Sequence, residues 1–381
     1  MSSSSRSGRR VVITGLGLIS PLGNSPDSLW EALSAGRSAV AALTQFSPGS
    51  LPTPFGAEAR QFSGGIDDFG PLAGDQKKQI RKALKVMCRE CQMGVAAAQM
   101  ALGDSRLSAS QRDPERAGVV FGSDYMVSLP DELNAPVEAC LDANRDFHFE
   151  RWGPQGIGTM NPLWLLKYLP NMPASHVAIY NDLRGPNNSL TQREASANLA
   201  IGEAFRVIAR NHAEVMLAGA TGTRIHPMKA IHARINEQLA NAEGAPEKAA
   251  RPFDLHRSGM VLGEGAGAIV LEELEHARAR GATIYGEIVA AASSAVVDRQ
   301  LTARRDLALA NAMRSTLGEA GCTPEQVGHL HAHGLSTRQS DIDEARAIRE
   351  VFGRYADRVP VVAAKSDFGN LGAGSGVIEA I

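Results

Sequence analysis

The sequence predicts an α/β body assembled from two related halves, on three observations. Short apolar runs bounded by Gly alternate with segments of helical spacing, as in a sheet covered by helices. In each half a long helical run leads into a buried-type strand: 76–103 before AGVVFGSD (117–124), and RDLALANAMRSTLGEAG (305–321) before VGHLHAHG (327–334). No low-complexity linker divides the chain, so the halves read as one duplicated body.

Taken in order, RVVITGLGLIS (10–20) is a strand that ends in Gly turns. DSLWEALSAG (27–36) starts at an Asp cap, carries apolar residues at helical spacing and stops at Gly. Residues 76–103 are expected to form one long amphipathic helix. AGVVFGSD, HAEVMLAGATG (212–222) and AGAIVLEEL (266–274) have the continuous apolar character of strands buried on both faces. TIYGEIVAAASSAV (283–296) reads as a further long strand. Residues 125–180 hold Pro, Trp and Asn in irregular order and form an insertion, and ANAEGAPEKAARP (240–252) is a surface loop. The boundary between halves falls at 1–265 and 266–381.

Apolar residues make up 44% of the 381 and charged residues 21%, which is ordinary for a globular protein. A net charge of −2 gives no strong electrostatic case for nucleic acid or an anionic membrane. No run approaches the roughly 18 apolar residues of a membrane helix. The polar, basic start MSSSSRSGRR does not read as a signal peptide, so a cytoplasmic location is expected. Four Cys are too few for a disulfide scaffold. Cys88 and Cys91 match C-x-x-C, but they lie in a helical run without a second pair, and read as buried thiols. No cofactor is expected.

Three stretches place polar groups beside Gly turns. In GPNNSLTQREASANLAIGEA (185–204), a turn and a polar strand lead into an Ala-rich helix, with Glu194 at the tip. A carboxylate there is either a helix-start charge favoured by the dipole or a functional group. In HLHAHGLSTRQSDIDEARAI (329–348), alternation puts His329, His331 and His333 on one side of a strand. No fourth metal ligand stands out, so packed or hydrogen-bonded imidazoles are the plainer reading. His333, before Gly at the strand exit, is the best candidate for catalysis. AAKSDFGNLGAGSGVIEAI (363–381) holds Lys365 and Asn370 among glycines but lacks the Walker order of a phosphate loop.

Together these stretches resemble the β-ketoacyl-ACP synthase family of the elongating fatty-acid synthase II type. RRVVITGLGLISPLGNSPDSLWEAL is similar to its first strand and helix, and DLRGPNNSLT (182–191) to its approach to the active site. RPFDLHRSGMVLGEGAGAIVLEELEHARARGA (251–282) resembles its central signature. HAHGLSTRQSDIDEARAI is similar to its His-Gly-Thr-x-Thr segment, and the last stretch to its Lys-Ser-x-x-Gly-His segment. The resemblance implies a thiolase-like fold of five layers, α-β-α-β-α, from two halves, usually dimeric.

The family's chemistry rests on a Cys and two His. The Cys attacks an acyl thioester, its thiolate favoured by a helix dipole. Backbone N–H groups hold the oxyanion. The two His promote decarboxylation of malonyl-ACP. Carried over, the Cys position is Glu194, the first His is His333 and the second His is Asn370; Lys365, Asp341 and Glu344 match the supporting charges.

Two of the three reacting groups are therefore replaced. That resembles chain-length factors, which carry Gln at the Cys position and shape the acyl tunnel of an active partner. The expected function is a non-condensing binder of acyl chains or acyl carrier protein, as a homodimer or as the heterodimer partner of an active ketosynthase. The alternatives are an acyltransferase, decarboxylase or hydrolase using Glu194 and His333, and an interaction protein without a ligand. The resemblance also implies that MNPLWLLKYLPNMPASHVAIY (160–180) lines a dimer interface and acyl tunnel. The family continues past GVIEAI into closing strands and a Gly-Phe-Gly-Gly loop, so either a truncated chain or a site open on one side is expected.

Overall fold

The computed structural model describes residues 8–381 apart from 48, 50, 52, 242 and 243. Residues 1–7 of the polar start and two residues of the 240–252 loop thus lie outside the described residues.

The chain opens with β1 (Val11–Ile19) and α1 (Pro26–Ser34). The cap of α1 is Ser25 and not Asp27. The Ser25 hydroxyl accepts the Ser28 N–H at 3.2 Å, Ser28 returns the bond, and Pro26 fills a helix-start position where no N–H is needed. A small ribbon, β2 (Val40–Ala42) with β3 (Phe55–Ala57), follows.

The single helix expected over 76–103 is two: α2 (Gly74–Ala83), continued by a 3₁₀ turn (Leu84–Val86), and α3 (Arg89–Ser105). Met87 is extended between them (φ −118°, ψ 123°). The break turns Met87 and Cys88 into the core and lets the Arg89 guanidinium reach buried Glu264 at 2.7 Å, a partner 175 residues away that periodicity cannot register.

Next come β4 (Ala117–Ser123), then the expected insertion, made of short turns with α4 (Asn134–Glu138), α5 (Trp164–Lys167) and α6 (Met172–Asn181). β5 (Asn187–Leu190), α7 (Ser196–Ala209), β6 (Val215–Thr223), α8 (Pro227–Asn236), β7 (Glu264–Glu273) and α9 (Leu274–Ala279) complete the larger part.

The long strand expected over 283–296 is only β8 (Gly286–Ile288). Its partner β1 offers just Val11–Ile13 before a bulge at Thr14 ends the shared register. Then follow α10 (Arg305–Ala320), β9 (Leu330–His331), α11 (Arg338–Phe352), β10 (Val361–Val362), α12 (Lys365–Phe368) and α13 (Ser375–Ala380). The strand expected over 327–334 is thus two residues long. Its parallel partner starts after Pro360, which has no N–H for the ladder, and Gly334 turns the chain away at φ 47°.

Six strands form one mixed sheet in the order β5-β4-β6-β7-β1-β8, parallel across β5, β4 and β6 and antiparallel from there on. Side-chain alternation divides the core by face. Val119, Phe121 and Leu217 join the cluster of α3, while Val120, Met216 and Ala218 join that of α7. Helices α3 and α6 cover the first face, and α7 and α13 the second. Beyond them lie the β9–β10 ribbon and the mutually packed α10 and α11. Among the described residues no helix is long and apolar enough to cross a membrane.

α3 approaches β1 at glycines. A Cβ on Gly15 would come within 2.3 Å of the Ala101 carbonyl oxygen, and one on Gly17 within 2.2 Å of the Ala97 carbonyl oxygen. Both obstacles are backbone, so neither yields to a rotamer change. Gly17→Ala is therefore expected to lower stability by about 2 kcal/mol or more, read as a lower urea midpoint. An unchanged midpoint would show that the α3–β1 contact is not tight.

Candidate functional site

The elbow that carries Glu194 is fixed by its neighbours. Arg193 takes the left-handed region (φ 52°) and begins a short 3₁₀ turn, Arg193–Ala195, that runs into α7. The Ser196 hydroxyl accepts the Gln192 N–H at 2.8 Å and donates to the Ser123 carbonyl at 3.2 Å. Gly122 has no side chain where Ser196 passes; a Cβ there would lie 2.8 Å from it. The start of α7 is thereby tied to the C-terminal end of β4.

Two charged residues arrive at the same sheet end, where open α/β sheets place ligands. Asp124 directly follows β4 and Arg224 directly follows the parallel β6. Both are buried, with no exposed side-chain surface. Asn370 comes from the Gly-rich segment between α12 and α13. Its N–H donates to the Val261 carbonyl at 2.8 Å, and its carbonyl accepts the Gly263 N–H at 2.9 Å, which stitches that segment to the approach to β7.

Arg224 and Asn370 meet at Glu194, with Asp124 beside Arg224. Arg224 Nη2 donates to Glu194 Oε1 at 2.6 Å and lies 3.4 Å from Asp124 Oδ2. Asn370 Nδ2 donates to the same Oε1 at 3.1 Å and lies 3.4 Å from the Met260 sulfur. Asn370 Oδ1 accepts the Gly372 N–H at 3.0 Å. Arg193 Nε stands 3.6 Å from Glu194 Oε2.

Burial pushes the Glu194 carboxyl up, but the Arg224 and Arg193 charges and the Asn370 bond outweigh it and hold the group down at about 2. Glu194 is therefore a fixed anion and a very weak base. The amide of Asn370 is occupied by Glu194 on one side and sulfur on the other.

His333 lies beyond the end of β9. No hydrogen bond joins its ring to Glu194 or Asn370 among the described residues. Burial, and then the Lys365 charge, push its imidazole down to about 3, with Glu194 opposing. The ring is thus neutral near pH 7. Glu344 holds the backbone that presents it, accepting the N–H groups of His333 at 2.6 Å and Gly334 at 2.9 Å. Lys365 is buried and paired with Glu379 on α13. Asp341 braces the 251–257 loop by accepting the Phe253 N–H at 2.8 Å, with Arg257 at 3.5 Å. Burial raises both the Asp341 and Glu344 carboxyls.

Arg224 and Asp124 were not singled out in the sequence, although a signal was there: each is a charge set directly against the end of a continuous apolar strand run. Cys88 and Cys91 are buried thiols. Burial pushes Cys88 up to about 12, so neither is poised to react. Among the described residues His329, His331 and His333 form no metal-binding group. Among the described residues, five clefts of about 270–550 Å³ have linings that include none of Glu194, His333 and Asn370.

The depressed Glu194 has a thermodynamic signature. Its folded value lies below the 4.5 of the unfolded chain, so its stabilisation is present above about pH 4.5 and is lost as pH falls toward 2. Glu194→Gln is expected to cost about 3 kcal/mol at pH 7, a gap that closes between pH 4.5 and 2 in urea-unfolding series. A gap independent of pH would mean that the charge of Glu194 contributes nothing to folding.

The chain matches the family description "Beta-ketoacyl synthase, N-terminal domain" over residues 8–277 and "Beta-ketoacyl synthase, C-terminal domain" over 285–381. It is 37% identical over 376 residues to a 3-oxoacyl-[acyl-carrier-protein] synthase 2 of Coxiella burnetii, covering 98% of this chain and 84% of that one. A type II polyketide ketosynthase in complex with its acyl-carrier protein and bound to the hexaketide superposes with a TM-score of 0.80 at 25% identity, over 98% of this chain and 85% of that one. The ishigamide ketosynthase/chain length factor gives 0.75 at 26% identity, over 98% and 85%. The layered fold is thus thiolase-like, and the chain belongs to the β-ketoacyl synthase family of fatty-acid or polyketide synthesis.

Proposed function

We propose that this protein is a non-condensing member of its family that binds acyl carrier protein or its acyl chains and partners an active ketosynthase, as a chain-length factor does. One observation carries the reading: the group at the nucleophile position, Glu194, is an anion clamped by buried Arg224 and bonded by Asn370. Neither a thiolate nor a free amide donor is offered to a thioester. A base of about 2 and an imidazole of about 3 are also poorly matched to proton abstraction near neutrality, which weakens the acyltransferase, decarboxylase and hydrolase readings. His333 and Asn370 are assigned as site residues, with Lys365, Glu344 and Asp341 holding the surrounding backbone and charge.

Partnering is supported by two surfaces. β5 ends the six-stranded sheet with its outer side unpaired, which suits the addition of a partner's strand. The 160–180 segment exposes Leu163, Leu165 and Ile179, the last at 69%. The two solved relatives include one complex with an acyl-carrier protein and one ketosynthase/chain length factor, consistent with both partner classes.

The test is intact-mass analysis of acyl-ACP and malonyl-ACP after incubation with the purified full-length chain. Both are expected unchanged, with no acyl group on Glu194 peptides. A ketoacyl-ACP extended by two carbons would overturn the proposal, and loss of CO₂ alone would replace it with a decarboxylase.

A further inference from the structure

On the far side of the segment that follows His333, a cleft of about 410 Å³ is lined by cations. Lys248, Arg251, His256, Arg257 and Arg338 line it together with Asn241 and Ser258, and among the described residues no carboxylate does. In a chain with a net charge of −2 this is a local concentration of one sign. Two of the guanidiniums have partners behind them: Arg251 meets Asp254 at 2.9 Å and Arg257 meets Asp341 at 3.5 Å. Lys248 and Arg338 have neither a hydrogen bond nor an ion pair from their side chains among the described residues. Two positive charges are left uncompensated at the cleft.

The neutral groups point the same way. The Ser258 hydroxyl accepts the Asn241 N–H at 3.1 Å, which leaves its own proton to donate. Arg338 is the first residue of the 15-residue α11, so the positive end of that helix dipole lies at the same cleft. Arg257 is rigidly held, donating to the carbonyls of Thr337, Asp254 and Arg338 at 2.7–3.1 Å. A pre-set guanidinium, two cations without partners among the described residues, a hydroxyl and a helix start whose first N–H is taken by Gln238 Oε1 at 2.8 Å meet at one cleft. We propose that this cleft binds a phosphoryl group. Charge-assisted bonds from Arg and Lys to phosphate oxygens are the strong pairing for such a set.

The cleft is joined to the Glu194 site through one short segment. The Arg251 N–H donates to Ser336 Oγ at 2.8 Å, and Ser336 and Thr337 follow His333 and Gly334. Two sources could bring a phosphoryl group beside an acyl-handling site: the phosphodiester of a carrier protein's prosthetic arm, or the phosphates of a free coenzyme A thioester. The carrier source rests on the function proposed above; the cleft itself does not.

The experiment is calorimetric titration of the full-length chain at low salt with four probes: inorganic phosphate, coenzyme A, holo-acyl-carrier protein and apo-acyl-carrier protein. Each is repeated on Lys248→Ala/Arg338→Ala, whose residues lie outside the Glu194 cluster, and on Lys248→Glu as a single surface change. Coenzyme A or holo-carrier is expected to bind, with affinity falling about tenfold per lost cation and about 100-fold in the double variant. Preference for holo over apo carrier assigns the prosthetic arm, and binding of coenzyme A alone assigns the free thioester. Equal affinities in the variants, or no binding of any probe, would overturn the proposal. Condensation detected by mass alongside the expected loss in the double variant would sink the non-condensing reading and leave the cleft standing.

Discussion

A guanidinium with no access to water sets the terms for the rest of this site. Removing such an ion from water costs several kcal/mol, and its partners return that only if geometry and hydrogen bonding are good. Arg224 has two carboxylates for this purpose, Asp124 at 3.4 Å and Glu194 at 2.6 Å. The start of α7, the ends of β4 and β6 and the segment carrying Asn370 are positioned so that those groups converge. Gly372 belongs to the same arrangement: a Cβ there would lie 2.7 Å from Asp124 Oδ2 and 3.3 Å from Arg224 Nε. The third face of the ion is therefore closed by backbone.

Buried ion pairs recur in this fold. Lys229 pairs with Glu90, Arg89 with Glu264 and Arg280 with Glu272, in each case with one partner wholly or nearly wholly enclosed. The first two join elements far apart in sequence, and all three make a change of register costly, since a slip would strand a charge in the core. At the Glu194 site the same physics has a chemical effect. Arg224 Nη2 and the Asn370 amide, which could polarise an incoming carbonyl, are turned to the protein's own carboxylate, while Arg224 Nε and Nη1 and Asp124 Oδ2 have no hydrogen-bond partner among the described residues.

Much of this was legible in the residues, and for identifiable reasons. β1, β4, β6 and β7 are continuous apolar runs with both faces buried, a signal that survives without knowledge of partners. Gly-marked turns drew attention to Glu194, His333 and Asn370, and their expected site roles are what the family resemblance implies. The gaps have a common cause, which is dependence on a distant residue. The α2–α3 break needs Glu264, the brevity of β8 needs the bulge in β1, and Arg224 acquires its role only once β6 lies beside β4. Helical spacing across 76–103 is genuine on both sides of Met87, so no local pattern reveals the interruption. Ser25 was passed over as the cap because Asp27 is also a good capping residue; the position of Pro26 decides between them.

The end strand β5 has a bearing on how the free chain behaves. It is only four residues long, Asn187 and Asn188 are exposed on it, and the Asn188 amide is turned back to Glu203 at 2.9 Å. A longer edge of Val and Ile would template addition of any extended segment, including another unfolded copy. A short Asn-bearing edge has little adhesive area of its own, so joining it requires contacts beyond the strand. The free chain is thus guarded against misassembly through this edge.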